Sequence, residues 1–110
     1  MIQVKFEKSH EGFHSFSVSG HAGFADFGED IVCAGVSSAV QLTVNAITEI
    51  LQLDAGVEVE ENLIRLTLPE HTAKPEQRRE AQHFIEAFRL QLVLLAEDYP
   101  NRIQITDLEV

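Results

Sequence analysis

Cys33 is the only thiol in this chain, and His21 lies twelve residues ahead of it. A thiolate beside an imidazole can attack a carbonyl and pass through a covalent acyl intermediate, which is the chemistry of thiol hydrolases. Asp30 followed by an uncharged run predicts a helix whose third position or so is Cys33. There, unpaired N–H groups and the positive end of the helix dipole favour an anion. A lone cysteine is more often an inert buried thiol, so on residue type alone packing competes with chemistry. His21 follows Gly20 at the end of a strand-like segment, and the loop between them and the helix can fold back to bring the imidazole to Cys33.

Other side chains around this pair have two readings each. Ser37 falls one helical turn after Cys33, where its hydroxyl could bond a reacting group or His21, or where a small residue simply permits close packing. Asp30 either caps the helix or orients the imidazole; a carboxylate beside the cysteine opposes thiolate formation, which favours the cap. Phe24 and Phe27, set among Gly23 and Gly28, are anchors that pin the loop or an apolar rim for substrate side chains. His10, His14, His71 and His83 read as surface or capping residues. With no second thiol and no histidine cluster at ligand spacing from Cys33, no metal or cofactor site is expected.

The elements that must position these residues follow from periodicity. Ile2, Val4 and Phe6, then Phe16 and Val18, alternate with polar residues as two half-buried strands around a turn at Glu11 and Gly12. Residues 20–29 lose all period and form a loop long enough to be functional. Residues 31–53 read as a helix with two apolar ridges. Ile31, Gly35, Ala39, Leu42, Ala46 and Ile50 form one, and Val36, Val40, Ile47 and Leu51 the other, so cover is expected on both sides. A two-residue turn at Glu61 and Asn62 would pair Val59 with Ile64 and Val57 with Leu66. Pro75 opens a second, amphipathic helix through Ala81, Phe84, Ile85, Phe88, Leu92, Leu95, Ala96 and Tyr99, which Pro100 stops. Ile103 and Ile105 give a last strand. The ββαββαβ order predicts one α+β domain over residues 1–110, a mostly antiparallel sheet packed by two helices.

Composition excludes several classes. Residues 31–48 carry no charge, but Ser37, Ser38, Gln41, Thr43, Asn45 and Thr48 interrupt the run too often for a lipid-facing span, so no membrane is expected. Eight Lys and Arg against 18 Asp and Glu give a net charge of −10, which opposes direct nucleic-acid binding and attracts basic proteins or peptides. A single cysteine and no basic-then-apolar leader fit a reducing, cytoplasmic setting.

The run Ser19-Gly20-His21-Ala22, followed by Gly28-Glu29-Asp30-Ile31-Val32-Cys33-Ala34-Gly35-Val36-Ser37, resembles the signature of the ribosomal-processing cysteine protease family, Prp. The resemblance extends to the element order along essentially the whole chain. It implies a bacterial endopeptidase that removes a short N-terminal extension from large-subunit ribosomal protein L twenty-seven, with Cys33 and His21 as the catalytic pair. It also implies Ser37 and Asp30 in support, a basic ribosomal substrate and a homodimer. Gly35 and Ser38 depart mildly from the small alanines frequent at those places. A non-catalytic ribosome-associated binding or assembly factor is the alternative, and a thiol redox sensor a third reading that lacks a resolving cysteine.

Overall fold

Every second residue of a strand faces the same side, so Ile2, Val4 and Phe6 point together into the core from β1 (Ile2–Ser9) in the computed structural model. The structure describes residues 1–20 and 27–110, with the backbone alone from 27 to 30. β2 (Gly12–Ser19) pairs antiparallel with β1, and its Phe16 and Val18 join the same core face. Phe13 lies three residues from Phe16, which strict alternation cannot place on one face. A bulge opposite Glu7 and Lys8 shifts the register and returns Phe13 to the core, its ring centroid 5.7 Å from that of Phe6.

β3 (Gly56–Glu60) and β4 (Leu63–Thr67) form the second hairpin in the expected register, Val59 opposite Ile64 and Val57 opposite Leu66. The sheet order is β3-β4-β2-β1-β5, where β5 (Ile103–Glu109) runs parallel to β1 and all other neighbours are antiparallel. The α+β class and the ββαββαβ order therefore hold.

The first helix departs from expectation at both ends. α1 spans Phe27–Asn45 and continues as a wider, π-helical turn over Ala46–Ile50. It starts four residues before Ile31, with Glu29 and Asp30 in its first turn, where the helix dipole favours acids. Asp30 is thus inside the helix and not its cap. At the far end Leu51 N donates to Ala46 O at 2.9 Å, Gln52 takes a left-handed φ of +56°, and Leu53 N returns to Ile47 O at 3.1 Å. That closure ends the helix short of Leu53 and turns the Leu53 side chain into the core. Buried Thr43 satisfies its hydroxyl by donating to Ala39 O at 2.8 Å.

α2 (Pro75–Asp98) buries Ala81, Ile85, Phe88 and Leu92 and ends before Pro100, leaving Tyr99 outside it and exposed. The Phe88 ring packs tilted, its centroid 4.7 Å from that of Phe16 and 5.8 Å from that of Phe6, so α2 is anchored over the centre of the sheet. The Gln82 amide brackets the bulged strand, accepting from Phe13 N at 2.6 Å and donating to Phe13 O at 2.7 Å. Gly12, with φ of +111°, leaves the room for it, since a Cβ there would meet the Gln82 side chain. Arg89 donates twice to the Asp107 carboxylate, at 3.0 and 2.6 Å, and ties α2 to β5. These hydrogen bonds raise the Arg89 pKa and lower that of Asp107.

α1 packs against α2 and the sheet by one ridge only. Val32, Val36, Val40, Val44 and Ile47 are buried, whereas Ile31, Leu42 and Ile50 of the other ridge are exposed, Leu42 by 73% and Ile50 by 76%. The two-sided cover expected from the sequence is therefore half supplied within one chain.

Candidate active site

Cys33 occupies the seventh position of α1, not the third, because the helix opens at Phe27. Its N–H is inside the intrahelical ladder, and the effect of the dipole is confined largely to the first turn, so the helix start contributes less to this thiol than the sequence implied. The side chain is half-buried, packed against the core and still open on one side. Ser37, one turn further along the same helix side, is exposed.

Gly20 follows the last residue of β2 and is held from two directions. Its N–H donates to Asn62 O at 3.1 Å, in the β3–β4 turn, and its φ of +72° is left-handed. A Cβ at this position would stand 2.6 Å from the carbonyl oxygen of Met1, so only glycine lets β2, the N-terminal backbone and the second hairpin converge here. The sequence places Asn62 in that turn but not beside Gly20; the two-residue turn, which fixes where its carbonyl points, was the signal for it.

Topology brings Gly20 and the first half of α1 to the same end of the sheet. Gly35 lies against Leu95, the Leu95 Cδ2 standing 3.2 Å from where a Cβ would be, near the end of α2. α2 leads into Ile103, Ile103 pairs with Ile2, and Ile2 borders Gly20. His21 and Phe24 lie outside the described residues, as do the side chains of Phe27 and Asp30.

The remaining histidines are apart from this end. His14 shares a 2.7 Å hydrogen bond with Ser9 Oγ, which also accepts from Glu11 N at 3.2 Å, and so braces the first hairpin. His10 and His14 do have a four-residue spacing that suits metal ligands on a helix, which the sequence reading passed over. His10 lies in the β1–β2 turn and His14 within β2 instead, and among the described residues no trio of His, Cys, Asp or Glu could hold a metal ion.

The family model described as cysteine protease Prp matches residues 1–104. The Bacillus subtilis (strain 168) protein named ribosomal processing cysteine protease Prp is 35% identical over 109 residues, covering 96% of each chain. A crystal structure from Streptococcus mutans superposes with a TM-score of 0.87 at 27% identity, over 100% of this chain and 96% of that one. The essential ribosomal processing protease Prp of Staphylococcus aureus, crystallised with a substrate peptide, shares the fold at a TM-score of 0.83 and 23% identity, over 97% and 99% of the two chains. With the family model spanning nearly its whole length and that Bacillus relative beside it, this chain belongs to the cysteine protease Prp family and is a cysteine protease.

Proposed function

We propose that the protein is a cytoplasmic, homodimeric endopeptidase that removes a short N-terminal extension from the basic large-subunit ribosomal protein L twenty-seven, with Cys33 as nucleophile and His21 as base. The whole-chain match to a relative named for ribosomal processing carries this reading. The half-buried thiol at the end of the sheet where Gly20 is pinned supports the residue roles. His21 takes the thiol proton; Cys33 Sγ attacks the scissile carbonyl; the amine leaves with that proton; and water, activated by the same imidazole, releases the acid from the thioester. Ser37 is within one turn to bond the reacting groups, and Asp30 supports from the first helical turn.

Two further features support the reading. The net charge of −10 suits a basic substrate. A groove of about 580 Å³ between α1 and α2, lined by Ala39, Leu42, Phe84 and Leu95, adjoins the exposed ridge and suits a second copy, which would supply the missing cover.

The test is cleavage of a peptide spanning the extension junction, followed by mass spectrometry. Cys33→Ala and His21→Ala should each lower kcat by about 10⁴-fold or more. Undiminished cleavage by Cys33→Ala would sink the mechanism, and binding without cleavage by the intact protein would leave a non-catalytic factor. Sedimentation should give a dimer that Leu42→Glu dissociates; a monomer at micromolar concentration refutes that part.

A further inference from the structure

Among the described residues β3 is an edge strand with nothing beyond it in the sheet. Glu60 and Leu63 flank the two-residue turn and form its hydrogen-bonded pair, so Glu60, Glu58 and Gly56 direct their N–H and C=O groups toward β4. Val57 and Val59 then turn theirs to the free edge. Their side chains stand on the helix side of the sheet, opposite Leu66 and Ile64, and are exposed, Val59 by 72%. Glu58 and Glu60 stand on the other face, with Glu61 in the turn and Asp54 ahead of the strand. The strand is thus a template with open backbone groups, apolar on one face and acidic on the other.

A second β3 meets like charges on this edge in its fullest antiparallel overlap, about Glu58, where the two Glu58 side chains stand opposite each other. Antiparallel pairing about Val59 would set Glu58 against Glu60 of the other copy in both directions, and like charges directly opposite destabilise a pair. A basic extended segment does fit. The edge also points somewhere: β3 ends at the turn whose Asn62 carbonyl holds Gly20, the residue before His21. Five residues along β3 span about 17 Å and end beside that anchor.

We infer that the edge of β3 is an exosite that takes an extended, basic segment of the substrate as a sixth strand and leads it to the Gly20 end of the sheet. The preferred segment alternates, with an apolar residue beside Val57 and Val59 and Lys or Arg beside Glu58 and Glu60. This deepens the proposed ribosomal-protein specificity and rests on it for the identity of the substrate, though not for the binding itself.

Two readouts separate the exosite from the protease reading. In the first, fluorescein-labelled peptides titrated with the Cys33→Ala protein compare a Lys-Val alternating sequence, a peptide of equal composition with the Lys and Val in blocks, and a Glu-Val alternating sequence. The alternating basic peptide should bind at least about threefold tighter than the block peptide, and the acidic one should not bind. The double variant Glu58→Lys, Glu60→Lys should reverse the preference toward the acidic peptide. In the second, the same tails are attached to a cleavable junction peptide. The alternating tail should lower KM by about three- to tenfold with kcat unchanged, and the double variant should abolish that gain while cleaving the tail-less peptide normally. Equal binding of alternating and block peptides, or an unaltered preference in a folded double variant, overturns the exosite. If no junction peptide is cleaved by the intact protein, the proposed function fails and the binding arm still decides the exosite.

Discussion

Replacing Gly20 by alanine tests the convergence on which the candidate site is built. A left-handed φ of +72° costs a non-glycine residue about 1–2 kcal/mol. The new Cβ would stand 2.6 Å from the Met1 carbonyl oxygen, a backbone atom that cannot rotate aside. Forcing backbone apart in a packed region adds about 1–3 kcal/mol. The sum is about 2–5 kcal/mol, or a fall in Tm of roughly 10–20 °C for a domain of this size. Thermal unfolding by circular dichroism measures it, with Gly56→Ala as control. No atom lies nearer than 3.9 Å to a Cβ at Gly56, and the shift there should stay within about 0.5 kcal/mol. Gly20→Asn separates the two contributions, because asparagine tolerates the left-handed conformation but keeps the clash, and should recover about 1 kcal/mol. Junction-peptide cleavage below both melting points should fall about tenfold or more, since Gly20 sets the entry of the chain toward His21. If Gly20→Ala melts within about 2 °C of the parent, the reasoning from φ and Met1 is wrong.

Phe88→Ala should cost about 3–5 kcal/mol, because the Phe88 ring packs from α2 against both Phe6 and Phe16; denaturant midpoints measure it, and a loss below 1 kcal/mol would show that the aromatic cluster does not organise the core. The Arg89–Asp107 pair is a third exposed and should be worth only about 0.5–1 kcal/mol at neutral pH. The Arg89 hydrogen bonds lower the Asp107 pKa below its unfolded value of about 3.9, so this contribution is complete above about pH 4 and is lost as pH falls through the folded pKa. The Tm gap between parent and Asp107→Asn should therefore narrow in acid; a gap independent of pH down to about 2 would refute the assignment.

Much of this molecule is written in short-range pattern. Period-two alternation around Ile2 and Phe16, the turn at Glu61 and Asn62, and the stop at Pro100 each depend on neighbours a few residues apart, and each matched the structure. The register of β3 on β4 followed from turn length alone, because a two-residue hairpin permits few pairings. The Gly20-His21 to Ser37 run was likewise legible as a signature before any geometry was known.

Other features were decided by burial and by contacts distant in sequence. Phe13 reaches the core through a bulge that no alternation announces, because the aromatic cluster with Phe6 outweighs regular pairing. The start of α1 at Phe27 moved Cys33 inward and removed Asp30 as a cap, since Glu29 and Asp30 suit a first turn as well as a cap and local sequence does not choose between them. Of two similar apolar ridges on α1, the sheet covers only that of Val36 and Val40 and leaves Leu42 and Ile50 in the open. Types and spacings along the chain determined which chemistry this protein carries and the order of its elements. Packing determined why residue 20 must be glycine and how closely α1 approaches α2 at Gly35, because those depend on Met1, Asn62 and Leu95 meeting residues that sequence separates by tens of positions.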